Sequence, residues 1–147
     1  ECAVRDALSH QDHAPDGTSP IFEALATLTA SWQQSPPCAR LVVLCSDGVA
    51  HSDAISFLGR APALVLPEPQ AMIARLKSLL LLPTGLQRVR VAHVAFGSPE
   101  SGPPRARSAT ELARLRGVWD AYWSAAGLTQ PVIYGAPMPL QAPAAWR

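Results

Sequence analysis

Apolar positions along the chain follow two different periods, and the change from one to the other lays out the elements. Ile21, Leu25, Leu28 and Trp32 recur at helical spacing behind Ser19 and Pro20. Serine is a favoured helix cap, and proline suits a first helical position because its φ is preset and no N–H is needed there. Pro36 and Pro37 stop the helix. Residues 41–45, LVVLC, form a continuous apolar run too short for a helix. Such a run predicts a strand buried on both faces, ending in a loop at Ser46, Asp47 and Gly48. Ile55 and Leu58 then suggest a short helix from about residue 52 to Gly59, and the proline-bracketed residues 63–66 a brief edge strand or packed loop.

The second half repeats the scheme. Pro69 opens a helix over about 70–81 with Met72, Leu76, Leu79 and Leu80 inward and Arg75 and Lys77 outward. Residues 88–96 alternate as a strand does, and His93 within it reads as a core or strand-flank histidine, since no carboxylate or nucleophile adjoins it to orient a base. Residues 98–108 are dense in Pro, Gly, Ser and Arg and read as a flexible loop. Ser108 and Glu111 have the spacing of a capping box. Leu112, Leu115, Trp119, Tyr122 and Ala126 mark a long amphipathic helix that Gly127 closes. Residues 132–134 are a last short strand, followed by an irregular proline-rich tail, 136–147. The sum is a single α/β domain over 1–147, with 1–15 as a loop. Its order matches the second half of a doubly wound, mostly parallel sheet with helices on both faces.

Two stretches carry a family resemblance. GTSPIFEAL followed by LVVLCSDG resembles the von Willebrand factor A (vWA) domain family, and WDAYWSAAGLTQPVIYG resembles the closing helix and strand of bacterial members; together they cover roughly residues 16–135. The resemblance implies a Rossmann-like fold and, in many members, a metal-ion-dependent adhesion site at the carboxyl ends of the strands. Carried over residue by residue, it makes Thr18 and Asp47 ligands of a divalent ion such as Mg²⁺, other divalent ions being open, with an acidic partner residue completing the shell. A DxSxS stretch belongs to the same site, and here the nearest candidate, Asp6 to Ser9, places its serine one position late. The metal-free alternative has Asp47 capping the turn that follows it and Thr18 holding its loop to the helix.

The implied function is a protein-binding or assembly module and not an enzyme. In the family, the strand bearing DxSxS lies beside the one ending in Asp47. Without it residues 41–45 would present an apolar edge, so a preceding N-terminal segment or another chain is expected to complete the sheet. The chain starts at Glu1, consistent with belonging to something longer. A metal-independent structural scaffold is the first alternative. A hydrolase resembling the metal-dependent serine/threonine phosphatases is the second, because their strands also end in SDG, although such enzymes need further Asp-Gly motifs.

Composition narrows this further. With 48 % hydrophobic and 16 % charged residues the chain is globular, and a net charge of +1 with dispersed arginines speaks against nucleic acid as a partner. No run of about 18 apolar residues predicts a membrane span. Cys2, Cys38 and Cys45 lack a C-x-x-C spacing, which argues against a zinc site or a disulfide framework. His10 and His13 flank Asp12 in a Pro/Gly loop with no scaffold to fix them, and read as solvated side chains. No phosphate-cradling glycine loop or nucleophile elbow is present.

Overall fold

The computed structural model describes residues 18–32, 38–59, 64–97 and 107–135. Helix α1 (Ile21–Ser31) leads to strand β1 (Arg40–Cys45), α2 (Pro69–Ser78), β2 (Val89–Val94), α3 (Ala109–Ala125) and β3 (Ile133–Gly135). The strands make one parallel sheet in the order β1-β2-β3, with Val42 opposite Val91, Leu44 opposite His93, and His93 opposite Tyr134. A mixed α/β architecture with a parallel sheet is therefore present.

Local chemistry accounts for the helix ends. Pro20 occupies the cap of α1, one place earlier than its expected role, and helical geometry begins at Ile21. Glu68 caps α2 by accepting from the Ala71 N–H at 2.8 Å, with Pro69 at the first helical position. The Ser108–Glu111 capping box of α3 closes as its spacing foretells, and the chain turns out of the helix at Gly127, φ +88°. Residues 52–59, expected to be helical, instead form bends: His51 bridges both Ser19 and Ser56, and Leu58 bridges Leu64. Ile55 and Phe57 are buried there as loop anchors, while Leu58, the other half of the helical spacing, is exposed.

The core lies on one side of the sheet. Val42, Val89, Val91 and His93 face α3, where Leu115, Val118, Trp119, Tyr122 and Trp123 are buried. Helix α1 joins the same layer, because Phe22 stacks on Trp119 with ring centroids 5.1 Å apart, and α2 packs against α3. The other side stands open among the described residues: Leu41 is 46 % exposed, Val43 39 % and Ile133 47 %. Strand β1 is thus buried on one face only, a correction to the two-sided burial its composition predicts. The reason is topological. Parallel strands in sequential order, joined by right-handed crossovers, carry their connecting helices on one face.

Candidate functional site

The carboxyl end of β1 is the most tightly determined polar region of the structure. The Ser46 N–H continues the ladder onto the Val94 carbonyl (3.1 Å), and the Gly97 N–H donates to the Asp47 carbonyl (2.8 Å). Between them the chain reverses over Gly48 at φ +86°, a left-handed conformation that favours glycine. The Gly48 carbonyl accepts from Trp119 Nε1 at 2.8 Å, in the interior. One aromatic side chain of α3 thereby fixes the loop that β1 delivers.

Asp47 is buried, and each of its oxygens has a defined partner. Oδ1 accepts from the Val49 N–H at 2.8 Å, an Asx turn that caps the loop. Oδ2 accepts from Arg107 Nη2 at 2.6 Å, forming an ion pair whose side chains are 7 % and 19 % exposed. Arg107 immediately precedes Ser108, so the capping box that starts α3 also places the guanidinium. The Arg107 Nε is buried without a hydrogen-bond partner.

Next to Thr18, Ser19 is tied to the loop beyond Asp47. Ser19 and His51 exchange backbone hydrogen bonds of 2.6 and 3.0 Å, which ties the start of α1 to the segment four residues beyond Asp47. Thr18 itself is exposed and makes no hydrogen bond to Asp47. No hydrogen bond joins the two residues expected to share a metal.

Whether this donor set suits Mg²⁺ is decided by chemistry. A hard dication takes about six oxygen ligands. Here the acceptor capacity of Asp47 is directed at an N–H and a permanently charged guanidinium, and among the described residues no group of three His, Cys, Asp or Glu converges. Among the described residues the donor set does not fit the ion. Asp6, Ser9, His10 and His13 lie outside the described residues.

Beneath this loop, His93 is wholly buried, ringed by Phe96, Trp119 and Tyr134 at centroid distances of 4.8, 5.3 and 5.9 Å. Neither ring nitrogen has a hydrogen-bond partner. Burial pushes its pKa down to about 4; the backbone of Ser46 lies near enough to offset part of that fall, short of hydrogen-bond geometry. The ring is neutral at pH 7 and works as aromatic packing, in keeping with its reading as a core residue. Tyr134 leaves the cluster toward solvent: its hydroxyl donates to Asp120 Oδ1 at 2.7 Å, and Arg116 lies 4.8 Å over its ring. Burial, then the Asp120 contact, raise its pKa above the usual tyrosine range.

Arg107 is the residue that sequence reasoning passed over. It stood in an arginine-dense loop 60 positions from its partner, and its one signal was adjacency to the capping box. An open cleft of about 410 Å³ lies at the opposite, amino end of the strands, lined in part by Trp32, Arg40, Leu82 and Arg88, and takes no part in this site.

Comparison with protein-family models, with curated proteins and with solved structures returned no match.

Proposed function

We propose that the chain is a protein-binding or assembly module of the vWA-like, doubly wound type, working without a metal at Asp47. Its sheet is completed by a further polypeptide segment. The observation that carries this reading is the one-sided sheet: among the described residues, an apolar face bearing Leu41, Val43 and Ile133 is exposed, and no described strand pairs with the outer edge of β1.

The occupant follows from handedness and area. Helix α1 lies in the layer of α2 and α3, so a parallel strand entering α1 through a right-handed crossover falls on the free side of β1. The exposed face, three strands wide and up to six residues long, measures roughly 14 by 20 Å. That is roughly 300 Å², well short of the roughly 800 Å² per partner of a stable dimer. A flat pairing of two copies is too small; a strand that adds backbone hydrogen bonds along β1, with an amphipathic helix over the open face, supplies the rest. In a doubly wound sheet that strand and helix are the elements that precede α1.

An edge and face left apolar among the described residues favour association of the chain with itself. Sedimentation velocity tests this. Residues 1–147 are expected to form heterogeneous oligomers at tens of micromolar, and Leu41→Lys with Val43→Lys to restore a monomer. A wild-type chain that stays monomeric and unfolds cooperatively would refute the reading.

A further inference from the structure

We propose that Arg107 is the resident cation of the strand-end site, and that its guanidinium keeps divalent metal ions off the Asp47 carboxylate. The ion pair itself is the first observation: Oδ2 of Asp47 is 2.6 Å from Nη2 of Arg107, with both side chains largely removed from water. Charge is balanced within that pair. A dication on the same oxygen would stand about 2 Å from it and within a few ångströms of a full positive charge. Arginine cannot shed its proton to relieve the repulsion.

The second observation is how the guanidinium is held. Arg107 sits one residue ahead of the Ser108 cap, so the start of α3 fixes its backbone, while Nε is buried without a partner. Among the described residues its hydrogen bond goes to the Asp47 carboxylate. The third is Asp47 Oδ1, which accepts from the Val49 N–H at 2.8 Å, a bond that does not involve Arg107. That bond is expected to keep the carboxylate oriented when Arg107 is replaced. The site therefore reads as a metal position closed from within: selectivity lies in one side chain contributed by the segment before α3.

Titration of the 147-residue chain with Mn²⁺, followed by electron paramagnetic resonance and by calorimetry, tests this. The wild type and Arg107→Lys are expected to show no saturable binding. Arg107→Gln is expected to gain Mn²⁺ affinity by about tenfold or more, the scale on which a full charge at this range moves a neighbouring ionic equilibrium. Adding Asp47→Asn to Arg107→Gln should abolish the gain. Saturable, Asp47-dependent Mn²⁺ binding by the wild type overturns the proposal, and so does a folded Arg107→Gln that gains nothing. If Arg107→Gln fails to fold, the other two titrations decide: binding by the wild type or by Arg107→Lys that Asp47→Asn removes overturns the proposal, and its absence from both supports it. None of these readouts involves self-association, so a failure here leaves the assembly reading standing, and the converse holds.

Discussion

Gly48 and Gly127 share a backbone conformation and differ in their surroundings, and the contrast allows the strand-end loop to be weighed. Their φ angles are +86° and +88°. A side chain at either position meets the left-handed penalty of about 1–2 kcal/mol. A Cβ at 127 would find its nearest neighbours at 3.4 Å (Gln87 Nε2) and 3.7 Å, ordinary contact. At 48 it would lie 2.8 Å from Phe96 Cε2 and 3.2 Å from Trp119 Nε1, the atom that holds the loop carbonyl. Trp119 is fully buried among Phe22, Tyr122 and Trp123, so it has nowhere to retreat. Overpacking of this kind adds about 1–3 kcal/mol. Gly48→Ala should therefore cost about 2 kcal/mol more than Gly127→Ala. Urea unfolding of dilute protein, followed by tryptophan fluorescence, reads the difference as a shift in midpoint at constant slope. Equal costs, within about 0.5 kcal/mol, would refute the claim that Phe96 and Trp119 together clamp this loop.

Further expectations concern the groups around it. His93 has a folded-state pKa of about 4 against 6.5 for the free side chain, so between those values the unfolded chain binds the extra proton. Stability should fall as pH drops from 6.5 to 4, by roughly 3 kcal/mol in all, and level off below. His93→Leu should remove that slope while costing little at pH 7, because no hydrogen bond is lost; an unchanged slope would move its cause elsewhere. Asp47→Ala should cost about 2–4 kcal/mol, since it strands the part-buried Arg107 and frees the Val49 N–H. In a double-mutant cycle with Arg107→Ala the two costs should fall short of additive by at least about 1 kcal/mol. Ser108→Ala should cost about 1 kcal/mol by opening the capping box, which thermal unfolding would register.

What could be read from the sequence was whatever local chemistry decides. The Ser108–Glu111 box, Pro69 at the start of α2, the alternation of β2 and the burial of Trp119 all follow from neighbours in the chain. So does the turn at Asp47, whose carboxylate reaches only two residues ahead. Other features depend on distant partners. An apolar LVVLC run looks the same whether one face of its strand is covered or two, because apolar content reports what a surface needs and not what it has. In residues 52–59 the buried anchors are Ile55 and Phe57, an alternation that the helical spacing of Ile55 and Leu58 obscured. Arg107 was hard to find as a site residue because its partner lies 60 positions away, and adjacency to the capping box does not name that partner. The metal reading of Thr18 and Asp47 rests on which residues are present; the structure adds the Arg107 guanidinium on one Asp47 oxygen, which the sequence does not show.

The open face of the sheet can be tested through its own chemistry. Cys45 is exposed at the end of β1 and, by the alternation of strand side chains, shares the face of Leu41 and Val43. In a chain with Cys2 and Cys38 replaced by alanine, maleimide alkylation of Cys45 at submicromolar protein should proceed near the rate of a free thiol, and should slow as rising concentration drives association. Slow alkylation in the dilute monomer would mean that the chain already covers this face itself, and would contradict the account.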